Sequence, residues 1–414
     1  MAGGNGGNGE VNESRGPLAG MRVIELCHVM AGPVCGLMLA DMGADVIKVE
    51  RPPHGDDTRK LTPPAIGSES AAFMMMNRNK RGVAIDLKTD CGREVLRKLI
   101  ATADAVTENF RPGTLDRLGL SYEALSKDNP GLIYCAVSGF GRTGPYAERG
   151  GFDLVAQGMS GIMSVTGEAP GRPPMKCGPP LADITAGILA AMGVAAAYAQ
   201  KIKTGKGCMV DTSLFEAGIV HTYWQSAICF ATGASPGPLG SGHPLSAPYQ
   251  ALPASDGWLT IGASNQSNWL RLVEAIAAPQ LAQDERFLDN GARMANLPQL
   301  VEVLTDIFQQ RTVAEWLEKL ERAGVPAGPV LDIAQMHADP QTLARKMVVD
   351  VPHPRHGSVK TIGAPVKFSG MGEVIRRPAP SLGEHTEEVL AEIGIAPGES
   401  GKLAAEGAVT MASA

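Results

Sequence analysis

One carboxylate stands apart in this chain. In the stretch 177–200, CGPPLADITAGILAAMGVAAAYAQ, Asp183 is the only charged residue between Lys176 and Lys201. Pro179 and Pro180 stop an extended segment, the carboxylate follows, and an almost wholly apolar helix begins. Placed there, it meets the positive end of the helix dipole and backbone N–H groups that have no partner inside the helix. Local sequence favours a plain role, because Asp is among the best helix N-caps. A carboxylate perturbed for catalysis is the second reading, and the rest of the chain has to decide between them.

Other residues could hold an anion. The segment ADVIKVE runs into Arg51-Pro52 and ADAVTENF into Arg111-Pro112. Two strands thus end in guanidinium groups, whose planar forks suit phosphates. Arg59, Arg78, Lys80, Arg81 and Arg117 lie in neighbouring segments and are expected to be able to join them. Any one of them is ordinarily a solvated loop charge, but two arginines at similar strand ends point to an anion site.

The elements that must position these groups alternate. MRVIEL is a short β run, HVMAGP turns, and Pro33 suits the first turn of the helix VCGLMLADMGA. The strand ADVIKVE follows, then GVAIDL, the helix CGREVLRKLIATA, the strand ADAVTENF, a helix near Tyr122–Asp128 and the strand GLIYCAVSG. This interval implies an α/β fold with a parallel, doubly wound sheet. Ligands on such sheets bind beyond the carboxyl ends of the strands. Residues 139–183 are Gly/Pro-rich and read as active-site loops, with Gly151-Phe152-Asp153 leading into a short helix, DLVAQGMSGIM. After the linker KTGKG come the strand CMVDTS and the helix SLFEAGIVHTYWQSAICFA.

A Gly/Pro/Ser-rich boundary at 231–248 then opens a smaller α+β domain over 235–324. It begins with YQALPA and GWLTIGA about an Asp256-Gly257 turn. Residues 17–230 are accordingly the N-terminal part of a large domain, which 325–414 return to complete. Residues 1–16, rich in Gly and Asn, are expected to be a disordered tail.

Composition closes off several classes. A formal net charge of −6 argues against a nucleic-acid partner. The seven cysteines are scattered, with no CxxC pair and no His at metal-ligand spacing. They read as reduced thiols of a cytoplasmic protein without a metal site. No secretory pattern opens the chain, and the run 184–200 is short and Gly/Ala-rich for a bilayer span, so no membrane partner is expected.

Many of these segments together resemble one family. LAGMRVIELCHVMAGPVCGLMLADMGADVIKVERPPHGDDTR, NRNKRGVAIDLK, TENFRPGTLDRLGLSYEAL, NPGLIYCAVSGFGRTGPYAERGGFD and PPLADITAG match, in order and spacing, the family III CoA-transferases. That group includes formyl-CoA and carnitine CoA-transferases and also α-methylacyl-CoA racemases. The likeness extends through KTGKG, GWLTIGASNQ and GVPAGPV, and so covers almost everything from Pro17 to Gly370.

The resemblance implies a Rossmann-like coenzyme A domain, a homodimer of two interlaced ring-like chains, and no metal. It implies that Asp183 is the nucleophile in CoA transfer from an acyl-CoA, with succinyl-CoA a candidate donor, to a free carboxylic acid. The intermediates would be an aspartyl anhydride and an aspartyl-CoA thioester, splitting one difficult transfer into easier steps. Helix-end N–H groups and an apolar wall would steady the oxyanions. CoA contacts carry over to His28, Val29, Met30 and Ala31, to Arg51, and to Asn109, Phe110 and Arg117. Met30 stands where formyl-CoA transferases carry glutamine, and 262–266, GASNQ, stands where they carry a glycine-rich closing loop. Lys80 and Arg81 read as structural or phosphate-facing, and His243 as a candidate acyl-pocket residue. Two alternatives stay open. A racemase would need an acid–base pair, yet Phe152 occupies the position of its histidine. A CoA-binding protein without turnover would need the surroundings of Asp183 to be degraded, and they are intact.

Overall fold

A computed structural model describes residues 16–412, so the tail expected over 1–16 lies, Gly16 apart, outside the described residues. The chain divides into two units. One takes the chain up to Ser160, Gly178–His221 and everything from Gln341; the other takes Gly161–Cys177 and Thr222–Pro340.

The first unit runs β1 (Arg22–Leu26), α1 (Ala31–Asp41), β2 (Asp45–Glu50), β3 (Arg81–Ile85), α2 (Asp90–Ala101), β4 (Ala105–Glu108), β5 (Ile133–Ser138), α3 (Asp153–Met159), α4 (Leu181–Thr204), β6 (Met209–Ser213) and α5 (Leu214–Ile219). The strands lie in the order β3-β2-β1-β4-β5-β6, all parallel. This is the order of dinucleotide-binding folds, in which the winding reverses between β1 and β4 and a crevice opens beyond their carboxyl ends. β1 to β5 are buried on both faces, while the edge strand β6 is half-buried with Asp211 exposed. α1 and α4 cover one face, with Val23, Val46, Ile133 and Val137 beneath them. α2 and the later residues Val389 and Leu390 cover the other.

The C-terminal segment rejoins this unit. Val409–Thr410 pairs antiparallel with β3 at the sheet edge. The helix Thr386–Glu392 is tied down by Arg81, which bridges Asp45 (2.6 Å), Glu388 (2.8 Å) and Glu392 (2.6 Å).

Three of the differences from the sequence reading concern the helices around the crevice. α1 begins at Ala31, so Pro33 is its third residue, where an N–H would have no helical acceptor anyway. α4 has 24 residues, longer than the apolar run suggests, and reaches the length and hydropathy of a membrane span. Here Ala182, Ala186, Ala190, Val194 and Ala197 are buried in the unit's core. A Cβ on Gly187 would stand 2.5 Å from the Ala31 carbonyl oxygen and 2.7 Å from Val34 Cβ, so glycine is what lets α4 lie against α1. The helix expected over 213–231 breaks at Val220–Thr222, and Tyr223–Thr232, which buries none of its residues, belongs to the second unit.

That second unit is an α+β body. β7 (Tyr249–Pro253), β8 (Trp258–Gly262) and β9 (Ala327–Pro329) form an antiparallel sheet with β8 central. Trp269 on α6 (Gln266–Ala275), Phe308 on α7 (Leu297–Phe308) and Trp316 on α8 (Val313–Arg322) fill its core with Phe287.

Candidate active site

The loop leaving β1 is held from below by a buried ionic network. Glu25 accepts from Lys48 (3.0 Å) and pairs with Lys80 (2.8 Å), and Lys48 pairs with Asp56 (2.9 Å); all four side chains are buried. Lys48 also donates to the Cys27 carbonyl (2.8 Å) and Lys80 to the Pro33 carbonyl (2.9 Å), gripping the loop at both ends. Asp56 accepts from the Val29 N–H at 3.1 Å. Val29 has φ 67, a left-handed conformation that a β-branched residue adopts only under constraint. Burial raises the Asp56 carboxyl, but Lys48 and the hydrogen bonds from Thr58 outweigh it and hold it far below the usual carboxylate range.

Across the crevice, the loop leaving β4 meets this one through a reciprocal pair. The Asn109 side chain accepts from the His28 N–H (2.8 Å) and donates to the His28 carbonyl (2.7 Å). The His28 and Phe110 rings meet edge to face at 5.5 Å. Burial, then Lys48, pushes the His28 imidazole below its ordinary pKa. Glu108 ends β4 and accepts from the Phe110 N–H (2.8 Å) and Arg142 (3.2 Å); burial pushes its carboxyl up to about 7.

Asp183 is the third residue of α4, and Pro180, not Asp183, occupies the N-cap. The capping oxygen comes from elsewhere: Asp153 Oδ1 accepts from the Ala182 N–H (2.8 Å) and the Asp183 N–H (3.3 Å). The local N-cap reading is therefore corrected. So is the expectation that helix-end N–H groups face an oxyanion, because two of them are occupied by Asp153. Among the described residues nothing donates a hydrogen bond to the half-buried Asp183 carboxylate. Burial first, and the Asp153 charge second, push its carboxyl up to about 6.

A cleft of about 210 Å³ lies beyond the carboxyl ends of β1, β4 and β5. His28, Val29, Met30, Ala31, Asn109, Phe110 and Asp183 all line it. Seven of the nine expected site residues thus share one cleft at the reversal of strand order. Arg51 is exposed and lies outside that lining, and Arg117 lines a separate groove with Arg93, Arg97 and Lys98. Of the further cations, Arg59 is paired with Glu50 (2.7 Å) and Arg78 with Asp41 (2.5 Å). With Lys80 and Arg81 engaged as described above, none of these four is free for a phosphate. Their sequence spacing carries no sign that they point inward. The cleft's own cations are Arg111 and Arg149.

Gly151 lines the cleft as well, and a Cβ on it would fall 2.4 Å from Gly139 Cα, so two glycine backbones touch there. Neither the Gly150 nor the Gly151 N–H has an acceptor among the described residues, which leaves both available to a ligand. The expected closing segment 262–266 and His243 lie in the second unit. The segment 262–266 is bonded to that unit's own body: Gly262 N–H to Pro326, Ala263 N–H to Pro248, and Gln266 to Leu288 and Arg293. His243 accepts from the Leu245 N–H at 3.1 Å and sits edge-on between Trp224 and Tyr249. No group of metal-ligating side chains occurs among the described residues.

The first unit is thus a doubly wound sheet with the Asp183 carboxylate in the crevice at its reversal of strand order. The chain belongs to CoA-transferase family III, whose model matches residues 18–386. It is 41% identical over 383 residues to the succinate–glutarate CoA-transferase of Agrobacterium fabrum, covering 91% of this chain and 96% of that one. It is also 41% identical over 372 residues to the acetyl-CoA:oxalate CoA-transferase of Acetobacter aceti, covering 89% and 94%. The crystal structure of a CAIB/BAIF family protein from Brucella suis superposes with a TM-score of 0.81 at 42% identity, covering 92% of this chain and 100% of that one. The protein is an acyl-CoA:carboxylate CoA-transferase.

Proposed function

We propose that this chain moves CoA from succinyl-CoA to a dicarboxylic acid through Asp183. One observation carries the reading: the Asp183 carboxylate lines the crevice with no hydrogen-bond donor among the described residues, and burial, then the Asp153 charge, pushes its carboxyl up to about 6. It is ionised at neutral pH yet more basic, and so more nucleophilic, than a solvated carboxylate. Its oxygen attacks the thioester carbonyl, the C–S bond breaks, and CoA leaves as the thiolate while a mixed anhydride forms. The thiolate attacks the aspartyl carbonyl, releases succinate and leaves an aspartyl-CoA thioester. An acceptor carboxylate attacks that carbonyl and again expels the thiolate. The thiolate then takes the acceptor's acyl carbon and frees Asp183. The amides of Gly150 and Gly151 are the available donors for the oxyanions. The names of both relatives, succinate–glutarate and oxalate, carry dicarboxylates, which supports that acceptor class.

The two exposed guanidinium groups, Arg111 and Arg149, suit phosphates or a second carboxylate. We read the chain as a homodimer. Ile188 and Met192 on α4 are 47% and 62% exposed and face an apolar cavity of about 270 Å³ with Met38, Val366 and Phe368. A large apolar patch of this kind normally marks an interface. Seven free thiols support a reducing, cytoplasmic setting.

Intact-protein mass spectrometry after exposure to a panel of acyl-CoAs tests the reading. A CoA-sized adduct is expected on the wild type with succinyl-CoA and absent from Asp183→Ala, whose turnover falls at least ~10³-fold. No adduct with any donor, together with exchange of the substrate α-proton, would replace transfer by racemisation. His28 would then be the one histidine in the cleft to examine.

A further inference from the structure

Thirty positions before the nucleophile in sequence, Asp153 reaches its backbone, and the details of that contact bear on the reaction. One oxygen, Oδ1, takes the amides of Ala182 and Asp183, and the other, Oδ2, accepts from the Gln157 side chain at 2.7 Å. Gln157 is fully buried, so the Asp153 carboxylate is braced from behind. The loop entering it is seated by the Gly139–Gly151 backbone contact, which leaves no room for a Cβ.

We propose that Asp153 is the positioning residue of the nucleophile, taking the first-turn amides of α4 so that the Asp183 carboxylate cannot fold back onto them. A carboxylate in the first turn of a helix is drawn to that turn's N–H groups; the N-cap Pro180 has none and the Leu181 N–H donates to the Pro179 carbonyl, so the amides of Ala182 and Asp183 are the ones left to attract it. A carboxylate bonded in that way is stabilised in its charged form and loses both basicity and nucleophilicity. With the amides already occupied, Asp183 is left lining the cleft with its lone pairs free. The inference rests on Asp183 being the nucleophile. Asp153 is also the one charge that contributes to the raised proton affinity of Asp183, beside burial. The other ionisable side chains lining the cleft are His28, Arg111 and Arg149.

Two substitutions separate position from charge. Asp153→Asn keeps an oxygen that can accept from both amides, whereas Asp153→Ala removes it. In Asp153→Ala, kcat is expected to fall about tenfold or more with KM for acyl-CoA within about twofold. The acid limb of its pH–rate profile should move down by about half a pH unit or more, as Asp183 bonds its own helix end. Asp153→Asn should keep kcat within about threefold of wild type, with a smaller downward shift of the same limb. Wild-type kcat and acid limb in both variants, whatever their melting temperatures, would reduce Asp153 to a structural cap. Equal losses of kcat in both would also overturn positioning, because Asn retains the acceptor. Single-turnover adduct formation is followed by mass spectrometry in parallel. A wild-type adduct with unaffected Asp153 variants sinks only this inference. No adduct on wild type sinks the assignment of Asp183, and this one with it.

Discussion

Burial and the neighbouring carboxylate raise the Asp183 carboxyl from 3.8 to about 6, and activity and stability respond to that shift in opposite senses. The nucleophile is the ionised form, so kcat/KM is expected to fall about tenfold per pH unit below about pH 6 and to level off above it. A pH–rate profile flat down to about pH 4.5 would show that another group reacts. For stability, the folded carboxyl binds its proton more tightly than the unfolded one. The favourable contribution is whole below pH 3.8 and is lost as pH rises through about 6. Above that, the ionised carboxylate costs the fold up to about 2–3 kcal/mol. Asp183→Asn removes the charge, and urea denaturation should find it about 2 kcal/mol more stable than wild type near pH 8 and equal near pH 4. Asp183 stands out in sequence because no other charge lies near it along the chain, but local sequence favours a cap there and only the family resemblance makes it the nucleophile. Asp153 could not be assigned its role, since a cap supplied from another element leaves no periodic trace. Arg78 and Lys80 were open to misreading as phosphate ligands, because side-chain type reveals charge but not the buried Asp41 and Glu25 that neutralise it.

Two elements carry the cleft, and each depends on a close contact. The β1–α1 loop holds Val29 at φ 67 because Lys48 and Asp56 anchor it from the interior. Lys48→Met would leave Asp56 without its cation and Glu25 with Lys80 alone. A loss of about 3–5 kcal/mol is expected in chemical denaturation, as for other broken buried pairs. A loss under about 1 kcal/mol would mean that the network is dispensable. α4 rests on α1 at Gly187, one turn beyond Asp183. Gly187→Ala should cost about 1–3 kcal/mol through overpacking, and it should lower kcat as well, since the helix that carries the nucleophile must move. Stability lost with kcat intact would show that the first turn of α4 is held independently of this crossing. The parallel strands were legible to within about two residues at either end, whereas the edge strand Val409–Thr410 was not, being two residues long in a segment of small residues. Nor was the break at Val220–Thr222, since its apolar residues continue across a point where the chain changes unit.

At the scale of the molecule, the sheet order 3-2-1-4-5-6 places the crevice, and seven of nine expected residues gather there from three separate stretches of the chain. Alternation of elements already implied a parallel, doubly wound sheet; what sequence could not supply is the strand order and which apolar residues the fold leaves uncovered. Ile188 and Met192 belong to a helix that reads as uniformly apolar, and only its packing separates the buried Ala182–Ala186–Ala190 face from the exposed one. If that exposed face closes against a second copy, Ile188→Glu with Met192→Glu should turn a dimer into a monomer in light scattering after size exclusion. The two carboxylates would have to be desolvated against an apolar partner surface, a cost that a dimer interface of ordinary size does not offset. Circular dichroism and melting should stay near wild type, because neither side chain is in the core. A monomeric wild type would remove the dimer outright. A variant that stays dimeric would place the interface elsewhere and leave the uncovered face of α4 to some other partner. The same variant also tests whether a single chain suffices for chemistry. Asp183 and every other cleft residue come from one first unit, so a monomer that still forms the CoA adduct at the wild-type rate would assign the dimer to stability, and one that does not would make the second copy part of the active site.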